Sequence, residues 1–235
     1  MVKEFINVTS VEEALKAKEK GYSFYAGGTE INRLNSLIKA DRVVSISNLG
    51  LNEIKDGFVG AMCTFQQIIE SQCIPEELKT ACKFNYSLQN RNRATIGGNI
   101  ASARDDSFLI PYLAASEALL VVEGRGELTI KDYLQKREGL ITSVLLNSNN
   151  VVSQKRIARA VRSRAVLTLA AGEETICIAL KGSPIFILKR LSGPEETISM
   201  LKNNKLINPV SDIWGSREYK EYLIETIMGE LLQEV

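Results

Sequence analysis

The chain has 235 residues, of which 45% are hydrophobic and 24% are charged, as in a globular protein with one large domain or two modest ones. Lysine and arginine number 29 against 28 for aspartate and glutamate, and this net charge of +1 argues against a nucleic-acid-binding surface. No apolar run approaches the roughly 20 residues that span a bilayer, and the N-terminus lacks the apolar stretch of a signal peptide. We therefore expect a cytoplasmic protein without a membrane span.

The sequence contains no histidine. This excludes Ser-His-Asp and Cys-His nucleophile systems, histidine metal sites and histidine proton shuttles. The four cysteines, Cys63, Cys73, Cys82 and Cys177, show no Cys-x-x-Cys spacing, so we interpret them as free structural thiols and expect no intrinsic metal site. If the chain is an enzyme, a bound cofactor is the economical hypothesis, because a cofactor brings its own reactivity.

The beginning of the sequence predicts a β/α unit. Ser10 and Glu13 fit a capping box, so a helix is expected from about 11 to 20, and "YSFYA" is expected to be a strand. Two glycines follow, and the apolar residues of "EINRLNSLIK" then recur at helical spacing, which predicts a helix over 31–38. Strands are predicted at "RVVSIS" and "GFVGAMC".

Further along, helices are predicted at "TFQQIIES" and "PEELKTACKFN", and a basic, glycine-bearing loop at "RNRATIGGNIASARDD". A hairpin is expected at "ALLVVEGRGELTI" and strands at "GLITSVLL", "VLTLAAG" and "TICIALKG". The tail from Glu195 to Val235 is expected to be largely helical. A change of composition near 147 divides the chain into residues 1–148, with subdomains at about 1–57 and 58–148, and a smaller α+β unit at 149–235.

Two diglycine segments stand out: the first diglycine segment, residues 26–31, and the second diglycine segment, residues 95–99. Glycines let the backbone approach a ligand closely, and consecutive N–H groups in such a turn form an anion site. Two of them could hold a diphosphate from both sides, with Thr29, Thr95 and Asn99 supplying side-chain hydrogen bonds. Ordinary turns are the alternative, since neither segment is a Walker A or a Rossmann motif.

In chain order, "AGGTEIN", "GAMCTFQQI" and "RNRATIGGNIASA" leading to "IPYLAAS" resemble the FAD-binding subunit of the molybdenum hydroxylases. This is the xanthine dehydrogenase and carbon monoxide dehydrogenase family, and the resemblance extends to the closing "GSREYKEYLIETIMGELL". It implies a PCMH-type FAD-binding fold of two α/β subdomains, with a small C-terminal α+β domain. The FAD-binding domain would occupy residues 1–148.

The resemblance also implies cofactor contacts. The first pyrophosphate-binding loop, which acts largely through backbone N–H groups, is matched by Ala26, Gly27, Gly28, Thr29, Glu30 and Ile31. The second loop is matched by Thr95, Gly97, Gly98 and Asn99. Ala61 and Thr64 match the segment that closes over the diphosphate, Ile141 falls in the strand at the isoalloxazine edge, and Arg156 lies where the family often has a lysine near the flavin. No catalytic acid or base and no metal ligand is implied.

Two departures from the family pattern are visible. The family has an aspartate three residues before the proline that follows the second loop, where it bonds the sugar-alcohol chain of the cofactor. Here Phe108 precedes Pro111 by three residues, so Asp106 or Ser107 would have to replace that contact. The basic "RIARAVRSRAV" also lacks the acids that usually follow, and both changes resemble the bacterial branch described as selenate reductase FAD subunits.

The function that the resemblance implies is that of an electron-transfer subunit carrying FAD. Its partners would be a 2Fe-2S subunit and a molybdenum-cofactor subunit, and NAD or another molecule would accept the electrons. A mechanism of this kind needs no protein acid or base, which agrees with the absence of histidine. The alternatives are a non-catalytic nucleotide-binding or scaffold module and, less favoured for so short a chain, a self-contained flavin oxidase.

Overall fold

A computed structural model describes residues 2–34, 36, 38–85, 87–147, 149–191, 195–197, 199 and 207–234. It has the predicted α+β class, with three separate sheets. The strands are β1 (Glu4–Asn7), β2 (Ser23–Tyr25), β3 (Arg42–Ser45), β4 (Ile54–Lys55), β5 (Phe58–Gly60), β6 (Leu119–Val122), β7 (Gly126–Thr129), β8 (Ile141–Leu145), β9 (Ser153–Ala158), β10 (Ala165–Ala171), β11 (Thr175–Leu180) and β12 (Phe186–Lys189). The helices are α1 (Val11–Glu19), α2 (Phe65–Glu70), α3 (Glu76–Lys83), α4 (Leu88–Arg91), α5 (Ile96–Ser102), α6 (Leu109–Ala115), α7 (Ile130–Gln135) and α8 (Arg217–Glu234).

The first sheet is parallel, in the order β1-β3-β2, and α1 covers it. The hydroxyl of Ser10 accepts the N–H of Glu13 at 3.2 Å, which starts α1 as predicted, and Ala14 and Ala17 bury the inner face of the helix. The first diglycine segment leaves the sheet directly after Tyr25, at the carboxyl end of β2. In α/β structures this is the edge at which ligands bind.

The middle of the chain forms an antiparallel sheet in the order β4-β5-β8-β6-β7. Helices α2, α3, α5 and α6 share one core with it, in which Phe65, Ile96 and Leu113 are fully buried. The hairpin predicted around Gly124 and Gly126 is confirmed as β6 and β7.

The C-terminal part of the chain forms an antiparallel sheet in the order β12-β11-β10-β9. All residues of β10 are buried, because α8 packs on one face of the sheet and α6 on the other. Met228 and Leu231 of α8 are fully buried in the core on the α8 face. On the α6 face the approach is close enough that a Cβ at Gly172 would overlap the Ala115 carbonyl. This burial on both faces explains the long apolar run of β10.

Several sequence-based expectations were wrong. Residues 29–34 form turns, not the start of a helix, with Asn32 N–H bonding the Gly28 carbonyl at 3.0 Å; positions 35 and 37 of that predicted helix lie outside the described residues. Leu34 of the apolar stripe is 87% exposed, so burial does not support a helix there. The second diglycine segment lies in the first turns of α5, not in a loop. Strands β1 and β12 were not predicted.

The cysteines Cys63, Cys82 and Cys177 are free and buried, and Cys73 is free and exposed. Burial raises the pKa of the Cys63 thiol to about 11 and also raises the pKa values of Cys82 and Cys177. Within the described ranges, no group of three or more side chains is arranged to hold a metal ion. None of the helices described there has the length and apolar character needed to cross a membrane.

Candidate cofactor site

Both diglycine segments line a single cavity of about 850 Å³. Residues from all three sheets or their connections contribute to its wall, among them Phe24 of β2, Ile141 of β8 and Arg156 of β9. The two segments also touch one another, since a Cβ at Gly98 would lie 3.7 Å from the Cβ of Ala26. The sequence elements that suggested a diphosphate site thus face a common space.

The first diglycine segment is packed so closely that side chains are excluded at both glycines. A Cβ at Gly27 would overlap the carbonyl oxygen of Arg93, and Gly28 has a φ of +70°. Behind Gly28, the hydroxyl of Tyr25 accepts a hydrogen bond from the Asn32 amide at 2.7 Å. Glycine is therefore required here both by close approach and by backbone conformation.

The main-chain donors of this first segment are not used internally. Among the described residues, no acceptor takes the N–H groups of Gly27, Gly28, Thr29, Glu30 or Ile31. All five residues line the cavity. Consecutive N–H groups without protein acceptors at a cavity wall are the arrangement that suits an anionic ligand.

The second diglycine segment has the opposite character, because its N–H groups are occupied. Ile96 donates to the Cys63 carbonyl at 3.0 Å, Gly97 to the Ala61 carbonyl at 2.9 Å, and Gly98 to the Thr95 hydroxyl at 3.2 Å. A Cβ at Gly97 would lie 2.7 Å from the Cβ of Ala61. This glycine serves the packing of α5 against the β5 edge.

Asn99 of the second segment offers a polar side chain that is not satisfied within the protein. Its Oδ1 is buried and has no hydrogen-bond partner among the described residues, and Asn99 lines the cavity. Such an orphaned acceptor needs a donor, for example a sugar hydroxyl of a ligand, while the N–H groups of the same amide can donate to a phosphate.

Glu30, which follows the first glycine pair, belongs to a cluster of ion pairs at the cavity wall. Its carboxylate accepts hydrogen bonds from Arg33 at 2.6 and 3.0 Å, from Arg104 at 2.9 Å and from the Ser36 hydroxyl at 3.2 Å. Arg104 also binds both oxygens of Asp106, at 2.6 and 2.7 Å. Burial raises the pKa of Glu30, but the hydrogen bonds and charges of Arg33 and Arg104 outweigh it and bring the pKa below its ordinary 4.5.

Aromatic side chains form another part of the cavity wall. Phe108 lies edge-on to Phe65 and to Phe84, with ring centroids 5.8 and 6.5 Å apart, and all three rings line the cavity. The guanidinium of Arg156 lies 5.5 Å from the centre of the Phe84 ring, and its Nη2 donates to the Ser163 carbonyl. This wall is apolar with one cation, which suits an aromatic ring system.

All but one of the sequence-predicted contact residues line the cavity. The exception is Thr64, whose hydroxyl accepts the N–H of Gln67 at 3.3 Å as the cap of α2, and whose backbone pairs with Thr95. Arg91, which the sequence places near the second segment, bonds Gln66 and the Asn85 carbonyl. Sequence reasoning missed Arg104, although its place in "ARDD" beside two acids was a signal.

A family model described as "FAD binding domain in molybdopterin dehydrogenase" matches residues 2–154, about two thirds of the chain. The chain belongs to this family. Its cofactor is accordingly FAD, and it is a component of an oxidoreductase of the molybdenum hydroxylase type. The resemblance drawn from the diglycine motifs is thus confirmed.

The similarity to other proteins extends over nearly the whole chain. The uncharacterized protein YgfM of Escherichia coli K12 is 31% identical over 251 aligned residues, which cover 98% of this chain and 95% of YgfM. A chain of CO dehydrogenase from Oligotropha carboxidovorans has a TM-score of 0.83 at 16% identity, covering 99% of this chain and 97% of that one. A chain of quinoline 2-oxidoreductase from Pseudomonas putida 86 has a TM-score of 0.80 at 17% identity, covering 100% and 96%. These structural matches show a shared fold.

The cavity fits FAD in three respects. The free N–H row of the first segment suits a diphosphate, the orphaned Oδ1 of Asn99 suits a hydroxyl, and the wall at Phe84 and Phe108 suits an aromatic ring. Asp106 lines the cavity too, but its carboxylate oxygens already accept from Arg104. Ser107 also faces the cavity, and its hydroxyl oxygen accepts the Ile110 N–H at 3.1 Å.

Proposed function

We propose that this chain is the electron-transfer subunit of a molybdenum-hydroxylase-type complex. Its partners are an iron–sulfur subunit of the 2Fe-2S type, which delivers electrons singly, and a molybdenum-cofactor subunit, which oxidises the substrate. FAD supplies the exchange between one-electron donors and a two-electron acceptor, which is NAD or another small molecule. The free N–H row of the first diglycine segment beside an orphaned Asn99 is the observation that carries the proposal.

The chain's own residues have binding and orienting roles in this proposal. The first segment holds the diphosphate through the N–H groups of Gly27 to Ile31, and the Thr29 side chain adds to it. The second segment supplies Thr95 and Asn99, while Ala61, Gly97 and Gly98 provide a close-packed floor. Ile141 and Arg156 flank the ring system, and Asp106 or Ser107 contacts the sugar-alcohol chain. Thr64 acts from outside the cavity by capping α2 beside Thr95.

Absence of a protein acid or base supports electron transfer over substrate chemistry in this chain. The sequence has no histidine. Among the described carboxylates at the cavity, Glu30 and Asp106 are both engaged with arginines, so neither is a free base. A self-contained oxidase commonly uses such a group on its substrate, so the engagement of both carboxylates favours the electron-transfer function.

The proposal is tested by expressing the chain alone and together with a two-cluster ferredoxin-like chain and a large molybdenum chain from the same organism. We expect flavin absorbance in the isolated chain, reduction of that flavin only when the partners and a substrate are present, and then reduction of NAD⁺ or an artificial acceptor. A chain that takes up no flavin would be a scaffold, and turnover by the isolated chain would indicate an oxidase. Either result would contradict the proposal.

A further inference from the structure

Arg104 occupies an unusual position at the end of α5. Ala103 ends this helix in the left-handed conformation, with a φ of 44°, and the chain then turns back toward the first diglycine segment. Left-handed backbone at a residue other than glycine is uncommon and is retained where the surroundings require it. The Arg104 side chain that follows is 20% exposed and lines the cavity.

The guanidinium of Arg104 joins two carboxylates that lie 76 residues apart in the sequence. Nη1 donates to Glu30 at 2.9 Å, while Nε and Nη2 bind the two oxygens of Asp106 at 2.7 and 2.6 Å. Asp106 is held further by Lys181 at 3.9 Å and Arg164 at 3.7 Å, both from the C-terminal sheet region. The planar fork of arginine can bind one carboxylate through two N–H groups while a third N–H donates to the other carboxylate.

This bridge acts on the irregular segment that carries the free N–H row. Residues 27–31 belong to no helix or strand, and their N–H groups have no acceptors among the described residues. What fixes the far end of that segment is the carboxylate of Glu30, through Arg33, Ser36 and Arg104. Of these partners, Arg104 alone connects the segment to α5 and so to the second diglycine segment.

We propose that Arg104 is a positioning residue for the cofactor: by tying Glu30 to Asp106 it holds the free N–H row at the spacing that a diphosphate needs. Three of the five N–H groups of Arg104 donate to the two carboxylates, so its role in this proposal is to fix them and not to bind the phosphates. A corollary concerns the sugar-alcohol chain. The carboxylate of Asp106 is bound by Arg104, which leaves Ser107 for that contact. The O–H of Ser107 has no acceptor among the described residues.

The test is a binding titration of the full-length chain, freed of flavin, with FAD, ADP and riboflavin. Arg104→Gln should lower the affinity for FAD and for ADP by about tenfold or more, because both ligands carry the diphosphate. The affinity for riboflavin should not change. Arg104→Lys should not restore the loss, since a single ammonium nitrogen cannot bind both oxygens of Asp106 side by side while it donates to Glu30. Arg42→Gln is the matched control, because Arg42 bonds Glu4 and the Lys20 carbonyl and none of these three residues lines the cavity.

Glu30→Gln separates positioning from direct binding. Positioning predicts weaker ADP binding, and a double variant with Arg104→Gln that is no weaker than either single variant. If Arg104 contacted the phosphates itself, Glu30→Gln would release it and remove a negative charge, so ADP would bind as well or better. Ser107→Ala should leave the affinity for ADP unchanged and lower the affinity for FAD, because ADP lacks the sugar-alcohol chain.

Unchanged ADP affinity in both Arg104→Gln and Glu30→Gln would overturn the inference, as would an equal loss of riboflavin and ADP, which indicates general disruption. If Arg104→Gln does not fold, Glu30→Gln decides alone. The inference rests on FAD binding and not on the electron-transfer partners. Failure of the wild-type chain to take up FAD would count against the proposed function, whereas normal wild-type uptake with unaffected variants would count only against the role of Arg104.

Discussion

The two diglycine segments have similar sequences, yet the structure uses their glycines for different purposes. At Gly27 and Gly28 the glycines let a stretch of irregular backbone lie against Arg93 and Tyr25 with its N–H groups open to the cavity. At Gly97 and Gly98 they let a short helix pack on Ala61 with its N–H groups already satisfied. A glycine pair in a sequence thus indicates close packing of the backbone, but it does not indicate whether the neighbouring N–H groups are used within the protein or left free.

The largest changes in affinity and stability should come from adding a methyl group to one glycine of each diglycine segment. Gly27→Ala should lower FAD affinity by more than about 100-fold, because the new Cβ overlaps the Arg93 carbonyl and displaces the free N–H row. Gly97→Ala should act mainly on folding, with a loss of about 1–3 kcal/mol in the free energy of unfolding, because α5 is pushed off Ala61. Urea unfolding of the flavin-free chain and FAD titration measure the two effects.

Gly60→Ala is the matched control for this pair. Its Cβ would overlap the Leu51 carbonyl, a comparable clash at a position that does not line the cavity. It should destabilise the chain without a specific loss of FAD affinity. If Gly27→Ala and Gly97→Ala changed binding and stability in the same ratio, the distinction between the two segments would be wrong.

An intermediate effect is expected at Asn99. Asn99→Ala should weaken FAD about tenfold, equal to about 1.4 kcal/mol, through the loss of hydrogen bonds to the cofactor. The stability of the flavin-free chain should not fall, because the buried Oδ1 has no partner to lose among the described residues. Asn92→Ala, at an exposed residue outside the cavity, should change neither quantity. A loss of stability in the flavin-free Asn99→Ala chain would show that the side chain serves the fold instead.

The smallest expected effect is a stability change that depends on pH in the first diglycine segment and not in the second. Glu30 has a pKa lowered below 4.5, so its ion pairs contribute stability above that pH, and the contribution is lost as the pH falls through the folded-state value. The difference in unfolding free energy between wild type and Glu30→Gln, at most about 1 kcal/mol for a partly exposed cluster, should disappear on acidification. Thr95→Ala removes a neutral cap of α5 worth about 1 kcal/mol, and its effect should not depend on pH. Urea titrations at neutral and acidic pH would show whether the two variants differ in this way.

Short-range patterns predicted much of the fold. The cap at Ser10, the glycine turn between β6 and β7 and the apolar run of β10 each depend on neighbours in the sequence, and each was predicted correctly. The helix predicted from the apolar spacing after Gly28 was wrong, because such a spacing carries no information on tertiary partners. Glu30 is drawn into ion pairs, and Leu34 remains exposed.

For the site, the diglycine motifs predicted which residues would line the cavity, although their contacts with the cofactor remain proposals. What could not be predicted was which N–H groups stay free, because the acceptors at Ala61 and Cys63 come from the turn after β5, more than 30 residues away along the chain. The bridge formed by Arg104 could not be predicted either, since Glu30 and Asp106 come together only in the folded chain.

The burial of β10 on both faces has a consequence for the family match itself. The matched segment ends at residue 154, inside β9, whereas the apolar face of α6 is covered by β10 and β11 further along. A fragment cut at that boundary would leave the face of α6 around Ala115 in contact with water and would lose the cavity wall formed by Arg156 and Arg164. We therefore expect the matched segment to be too short to fold around the cofactor by itself, and a fragment of residues 2–154 should aggregate on expression while the full chain remains dispersed.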